Sequence, residues 1–333
     1  MLRKTLMVIF CLAFTAFLLT NPEAAANAVK SGLVFFGGVL VPSLFPITFI
    51  TSFVMKSIRF TGAKGKRMKP FFILFFSLIG GYTVGAKLIG DAFKSKGISE
   101  KCAQILSLFC TNAGVGFCIS VVGAGVLNSL YAGILLYLCN IVYSVVGFII
   151  FLPEISNSNV PETAPDAVRI SDVFCETVGE TAQVLLKIGG FTALFSAVNL
   201  FLEEWGIGFL SLFFEITTAV NKTRNLPLLA LLLGFGGISV IFQVLSVAEK
   251  AVDIKSFLIS RVCHGLVSFG LMSLASRLFK ISVPVFALSS GVSVLPFFDR
   301  AAVSLSAVVS VIMLILSLES KNRGGNLRED LLQ

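Results

Sequence analysis

Residues 80–91 read GGYTVGAKLIGD and residues 110–116 read CTNAGVG, and both segments lie inside strongly apolar sequence. Their glycines and polar groups are residues that a membrane helix avoids, because every backbone N–H and C=O in hydrocarbon must be paired. An interrupted helix is tolerated at this depth where protein or a wet cavity surrounds the interruption. Two interruptions close together, one of them with a lysine, indicate a binding site inside a bundle of membrane helices.

The composition predicts an integral membrane protein. Of the 333 residues, 56% are hydrophobic and 13% are charged, and the mean hydropathy is +0.94. A soluble domain carries about 25% charged residues. Apolar runs of about 20 residues predict membrane helices rather than the alternating strands of about 10 residues that build barrels. We therefore expect an all-α, polytopic, multi-pass membrane protein.

The charged and reactive residues argue against several other classes of protein. Much of the net charge of +8 lies in short loops and tails, where Lys and Arg mark the cytoplasmic side, so it does not indicate nucleic-acid binding. The seven cysteines form no C-x-x-C pair, and His264 is the single histidine, so no metal site is expected. No phosphate-binding loop and no nucleophile–base pair stands out, so we expect neither a cofactor nor an enzyme.

The first half is expected to hold one repeat, over residues 31–152, after an N-terminal membrane helix at 1–30 that also resembles a signal peptide. Basic residues flank the segment 70–93 on both sides. It is therefore expected to be a re-entrant hairpin with its tip near Gly80 to Gly85. A simple span with a glycine packing face is the alternative. The next segment is expected to cross the membrane and to break near Asn112, where the N–H groups of a half-helix suit an anionic ligand.

The second half echoes this order. A polar linker at 153–170 leads to a second repeat at 171–280, then to C-terminal membrane segments at 281–320 and a cytoplasmic tail at 321–333. The short segment around Glu215 is expected to be a second hairpin, and the glycines at 234–237 a second broken helix. The halves would then be inverted repeats with the ligand site at their interface, giving about eight spans plus two re-entrant hairpins.

Five motifs, in order, resemble those of the YlbJ-type sporulation integral membrane proteins, a family also called SpoVV. They are GYTVGAK at 81–87, FCTNAG at 109–114, LKIGG at 186–190, EIT at 215–217 and FGGISVIFQ at 235–243. The resemblance spans residues 42–279. It implies the nucleoside-recognition (Gate) domain shared with concentrative nucleoside transporters. It also implies a role in spore formation and, from a founding member, movement of dipicolinate across the outer forespore membrane. The chain departs from the family pattern at Thr83 and Val115, where the family usually has proline.

The expected ligand site draws on both halves. Lys87 is either the cation for a dicarboxylate or the partner of Asp91, four residues further along the same helix face. Lys187 and Glu215 either serve the ligand or pair with each other. The neutral polar residues either bind the ligand or join neighbouring helices. The expected set is Gly81, Tyr82, Thr83, Lys87, Thr111, Asn112, Gly114, Lys187, Glu215, Thr217, Gly237, Ser239 and Gln243.

These observations favour a membrane transporter for a small organic anion, a dipicolinate-like dicarboxylate, acting in sporulation. A transporter for a neutral, nucleoside-like solute and a non-transporting scaffold of a sporulation membrane complex are the alternatives. The expected partners are the organic anion and the lipid bilayer, together with further copies of the chain or other sporulation membrane proteins.

Overall fold

The computed structural model describes residues 2–58, 60, 62–156 and 169–279. Within these ranges every regular element is a helix, as the composition predicts. The expected C-terminal segments, the tail and most of the polar linker lie outside the described residues.

The α-helices of the described part follow one another with short connections. They are α1 (Leu2–Thr20), α2 (Pro22–Phe35), α3 (Val41–Ser57), α4 (Gly62–Gly80), α5 (Tyr82–Lys94), α6 (Glu100–Phe109), α7 (Leu130–Ile150), α8 (Leu152–Ser156), α9 (Ile170–Glu204), α10 (Ser211–Phe214), α11 (Ile216–Lys222), α12 (Leu226–Phe235), α13 (Gly237–Ala248) and α14 (Ile254–Leu278). Two π-helical segments lie at Phe36–Leu40 and Phe117–Val126, and 3-10 turns lie at Gly208–Leu210 and Glu249–Ala251.

Five helical stretches of the described chain are long and apolar enough to cross a membrane. They are Pro22–Ser57, Leu130–Ile150, Ile170–Glu204, Leu226–Ala251 and Ile254–Leu278. Shorter apolar helices lie at Lys4–Thr20, Met68–Gly80 and Phe117–Val126. This agrees with a multi-pass helical membrane protein.

Side-chain caps fix where several of the helices begin. Ser99, Ser129, Asn225 and Asp253 each accept a hydrogen bond from the backbone N–H three residues on, at 3.0–3.2 Å, and so start α6, α7, α12 and α14. These are the residue types that favour helix N-caps, since a short oxygen satisfies one of the free N–H groups of the first turn. The bonds from Ser256 also lower the pKa of the Asp253 carboxyl.

Helices α4 and α5 fold back on each other at Gly81. Lys69, in the first half of α4, brings its Nζ to within 1.9 Å of the position that a Cβ on Gly97 would take, just beyond the end of α5. The two helices therefore return to the same end. The apolar part of α4, Met68–Gly80, is about 20 Å long at 1.5 Å per residue. That is shorter than the bilayer core of about 30 Å.

Helices α10 and α11 form a second, smaller reversal at Glu215. Lys222, at the end of α11, lies 2.9 Å from the hydroxyl of Ser211 at the start of α10. It also forms an ion pair with Glu203, in the last turn of α9. The two reversals thus differ in depth, because α10 has 4 residues and α11 has 7, against 19 in α4 and 13 in α5.

The two halves interlock rather than lie side by side. Helix α5 of the first half packs against α13 of the second, and α3 packs against α9. Within each half, α7 packs against the π-helical segment Phe117–Val126, and α14 packs against α12. Contacts between the halves therefore involve interrupted helices, such as α5 and α13, as well as continuous ones, such as α3 and α9.

Candidate functional site

Four helix interruptions meet at one place, which we call the central junction. It comprises Gly81 and Tyr82 where α4 meets α5, 110–114 after α6, Glu215 between α10 and α11, and Gly236 and Gly237 where α12 meets α13. A Cβ on Gly81 would lie 2.9 Å from the Gly114 nitrogen. A Cβ on Gly237 would lie 3.4 Å from the nitrogen of Ile216, and one on Gly236 would lie 3.3 Å from the Tyr82 ring. Each reversal therefore touches the broken helix of its own half, and Tyr82 joins the halves.

Glycine is required at three points of the junction by backbone conformation. Gly81, Gly236 and Gly237 have φ angles of 91°, 86° and 82°. Residues with a Cβ adopt this region at a cost, whereas glycine enters it freely. The glycines that the sequence analysis placed at helix interruptions thus lie at the interruptions of the structure.

Tyrosine hydroxyls satisfy carbonyls at two of the helix ends. The Tyr82 hydroxyl donates to the carbonyl of Leu233, in the last turn of α12. The Tyr137 hydroxyl donates to the carbonyl of Leu78, in the last turn of α4, at 3.1 Å. The last carbonyls of a helix have no partner within the helix, so these bonds allow the two helices to end inside the protein.

The end of α6 is satisfied by α14. Arg261 Nη2 donates to the Leu108 carbonyl at 2.7 Å, and Nη1 donates to the Thr111 carbonyl. The Ser260 hydroxyl also donates to the Leu108 carbonyl, at 2.9 Å. A cation at this position also interacts favourably with the negative end of the helix dipole.

At the junction, the side chain of Asn112 has polar groups that form no hydrogen bond. It is fully buried, and neither its Oδ1 nor its Nδ2 has a hydrogen-bond partner. Its neighbour Thr111 is also buried, but the Thr111 hydroxyl donates to the Ser107 carbonyl at 2.8 Å. A buried amide without partners is costly, by about 1–3 kcal/mol per group. Asn112 is therefore available to a ligand in a way that Thr111 is not.

Glu215 is held by its own helix. Its Oε2 accepts hydrogen bonds from the N–H of Thr218 at 2.8 Å and from the hydroxyls of Thr218 and Thr217. Lys187, in contrast, is exposed, and its Nζ donates to the Ser246 carbonyl at 3.0 Å. The structure therefore does not show Lys187 paired with Glu215, which was one of the two alternatives. Donors of its own helix satisfy the Glu215 carboxylate, whereas Lys187 projects from an exposed face of α9.

Lys87 belongs to an ion-pair network along α5. Its ammonium group lies 2.6 Å from Asp91 and 2.7 Å from Glu180 of α9, with 3% of the side chain exposed. Glu180 also pairs with Lys56 of α3 at 2.7 Å, and Lys56 pairs with Glu176 at 3.2 Å. In this structure Lys87 pairs with Asp91, which was one of the alternatives for this lysine. The network ties α3, α5 and α9 together.

The remaining predicted residues lie in the first turns of helices that start at the junction. Thr83 is buried in the first turn of α5, and Ser239 is buried in the first turn of α13. Gln243 Nε2 donates to the Ser239 hydroxyl at 3.2 Å, one turn further along α13. The structure thus gathers Gly81, Tyr82, Asn112, Gly114, Glu215 and Gly237 at the junction. It places Lys87, Lys187 and Gln243 further along their helices.

The sequence analysis missed one residue of this region, Arg261, and it mentioned His264 only in excluding a metal site. Arg261 is 1% exposed, and His264 is fully buried, with Nε2 2.9 Å from the Asn140 carbonyl and its ring stacked on Tyr143. A signal was present for Arg261, because an arginine inside an apolar helix is costly unless it has a specific role. Its partners could not be read from the sequence, since they lie 150 and 153 residues away.

One known protein is similar to the chain over most of its length. The sporulation integral membrane protein YlbJ of Bacillus subtilis (strain 168) is 26% identical over 330 residues, covering 80% of this chain and 81% of that protein. No protein-family model matches the chain, and no solved structure matches it.

Proposed function

Because the chain is similar over 80% of its length to a sporulation integral membrane protein, we propose that it carries a small organic anion across a membrane of the sporulating cell. The substrate in this proposal is a dicarboxylate of the dipicolinate kind. The membrane is the outer forespore membrane.

The observation that carries the proposal is the central junction. Interrupted membrane helices are tolerated where they line a cavity or are buried in protein. Here four interruptions converge, and Asn112 adds two buried polar atoms without partners. Two halves that touch at broken helices are a common plan for transporters, in which the substrate binds where the repeats meet.

The proposed binding groups are those at the junction. The helix that follows the first break starts beside Asn112, and its free N–H groups and positive dipole end suit a carboxylate. Lys87 is already balanced by two carboxylates, so we assign it to holding α5 in place. Lys187 lies on an exposed face, where it would not reach a ligand at the junction.

Uptake into liposomes tests the proposal. Purified protein is reconstituted, and accumulation of labelled dipicolinate is compared with that of a labelled nucleoside and with that of empty liposomes. We expect dipicolinate uptake by the wild type and strongly reduced uptake by Asn112→Ala. Uptake equal to that of empty liposomes, from protein shown to be folded, would sink the proposal.

One observation favours a neutral solute as the second candidate. Glu215 is a buried carboxylate at the junction, and such a group repels anions while accepting hydrogen bonds from sugar or base donors. Nucleoside uptake without dipicolinate uptake would establish this alternative. Uptake of neither solute would favour a non-transporting scaffold.

A further inference from the structure

Arg261 is a buried cation with no carboxylate partner at the junction. Its side chain is 1% exposed, and among the described residues no Asp or Glu oxygen lies within 4.0 Å of it. Its neighbours are the Leu108 and Thr111 carbonyls and the ring of Phe257, whose centroid is 5.2 Å from Cζ. Lys87 is the contrasting case, since two carboxylates neutralise it.

These partners leave part of the guanidinium unused. A guanidinium has five N–H donors, and two carbonyl bonds engage Nη1 and Nη2, while the buried Nε has no partner. Carbonyl dipoles offset only part of the cost of burying a full charge, which is normally met by an opposite charge. An anion that bound here would supply the missing charge.

The neighbouring amide points to the same kind of ligand. Arg261 donates to the carbonyl of Thr111, and the next residue is Asn112, whose Nδ2 is fully buried and unpartnered. Guanidinium and amide N–H groups together are typical donors to a carboxylate, and charge-assisted bonds of this type are among the strongest in proteins.

We infer that Arg261 and Asn112 form a carboxylate subsite at the first break, and that Arg261, rather than Lys87, supplies its positive charge. The ligand class is an organic acid with at least one ionised carboxylate. This inference rests on the proposed function and names the residue that makes the transporter select anions. The guanidinium is closed to solvent in the state described, so a ligand can reach it only after the protein opens around it.

The simpler role for Arg261 is to cap α6, and two substitutions separate the roles. Arg261→Lys keeps the charge but loses the planar fork, whereas Arg261→Gln loses the charge and keeps an amide donor. The matched control is Arg277→Gln, which changes an exposed arginine on the same helix. Binding of labelled dipicolinate to purified protein in detergent is measured with its neutral diamide as a competitor, and the melting temperature is recorded for each variant.

A carboxylate subsite predicts a ranking by charge. We expect Arg261→Gln to weaken dipicolinate binding by about 30-fold or more, Arg261→Lys to weaken it less, and Arg277→Gln to leave it unchanged. The diamide should compete poorly with the wild type. Equal losses in the two Arg261 variants, in step with their melting temperatures, would mean a capping role alone and would overturn the inference. Wild-type affinity in Arg261→Gln would overturn it as well.

Asn112→Asp tests the subsite without touching the arginine. In the inferred subsite, the new carboxylate would neutralise the guanidinium. The protein should therefore keep its melting temperature and lose dipicolinate binding, and retained affinity would contradict the inference. If the wild type itself binds no dipicolinate, the proposed function fails and the inference falls with it. By contrast, if the wild type binds dipicolinate and the variants bind it equally well, only the inference fails and the proposed function stands.

Discussion

At the scale of single residues, the closest approach at the junction is made by Gly85. A Cβ added to this glycine would lie 1.8 Å from the carbonyl oxygen of Cys110. That atom belongs to the backbone of the first break and cannot rotate away. The reversal and the broken helix of the first half can therefore touch only because residue 85 has no side chain.

We predict that Gly85→Ala destabilises the protein by at least about 1–3 kcal/mol, the usual cost of overpacking. Thermal unfolding in detergent measures the loss, and liposome uptake shows whether the junction still works. The matched control is Gly190→Ala, since a Cβ on Gly190 in α9 would have no atom within 4 Å. Equal stability of the two variants would contradict the contact.

Val115 is a position where, in contrast to Gly85, we expect a substitution to be tolerated. It is the first residue of the helix that follows the break, where Gly114 accepts the first helical bond, from Cys118 N at 3.1 Å. The N–H of a first helical residue has no partner within the helix, so proline fits there. This explains how one position can hold proline in the family pattern and valine in this chain.

Val115→Pro should accordingly change stability by no more than about 1 kcal/mol. Val121→Pro, inside the same helix, should cost about 3 kcal/mol or more, because it removes an internal hydrogen bond. Expression level and thermal unfolding compare the two variants. Equal losses would show that the helix does not start at Val115.

At the scale of elements, the ion-pair network adds a charged connection between α5 and two of its neighbours, α3 and α9. Removing Lys87 leaves Asp91 and Glu180 facing each other across α5 and α9 without their shared cation. Breaking one side of a buried pair costs more than removing both partners, since an uncompensated charge remains. The network therefore stabilises the position of the α4–α5 reversal.

A double-mutant cycle should reveal this coupling. We expect Lys87→Met and Glu180→Gln to be strongly non-additive, with an interaction energy of about 0.5–3 kcal/mol. Unfolding in mixed detergent micelles gives the free energies. The control cycle is Lys94→Met with Glu249→Gln, whose side chains are 56% and 49% exposed, and it should show less than about 1 kcal/mol. Comparable energies in both cycles would count against a special role for Lys87.

Much of the element pattern was predictable because helix breakers and caps act locally. Glycines at 81, 236 and 237 indicated the interruptions. The caps Ser99 and Asn225 are local signals of the same kind, although the sequence analysis did not use them. Whether a given side chain is buried or exposed was less predictable. Lys87 and Lys187 occur in similar glycine-containing motifs, yet one is buried and the other exposed, because their exposure depends on which helices surround α5 and α9.

At the scale of the whole molecule, the proposed inverted repeat makes a prediction about sidedness. The open end of the first reversal lies near Ser95, and that of the second lies near Asn221, both on exposed positions. The basic loops around the first reversal favour the cytoplasmic side for Ser95. An inverted arrangement places Asn221 on the opposite side.

Cysteine labelling tests this arrangement. Ser95→Cys and Asn221→Cys are introduced singly after replacement of the exposed Cys11, Cys175 and Cys263, while the buried cysteines stay. In intact host cells that carry the protein in their plasma membrane, an impermeant thiol reagent should label Asn221→Cys, and it should label Ser95→Cys only after that membrane is opened. Labelling of both positions from one side would rule out the inverted repeat.

The composition and the run lengths were enough to predict a multi-pass helical protein, because hydrophobic matching to a bilayer is a property of each segment alone. The site was only half predictable. Asn112 and the junction glycines were found from their unsuitability for a plain helix. Arg261 was not found, because the carbonyls that it binds lie in a distant part of the chain.

The contact of Arg261 with the end of α6 has a consequence for how the protein is made. The arginine follows its partners Thr111 and Leu108 by 150 and 153 residues. At synthesis rates of roughly 5–20 residues per second, the first break waits roughly 8–30 s for the side chain that completes it. During this interval the nascent first half has carbonyls at the end of α6 that lack the hydrogen bonds from the arginine.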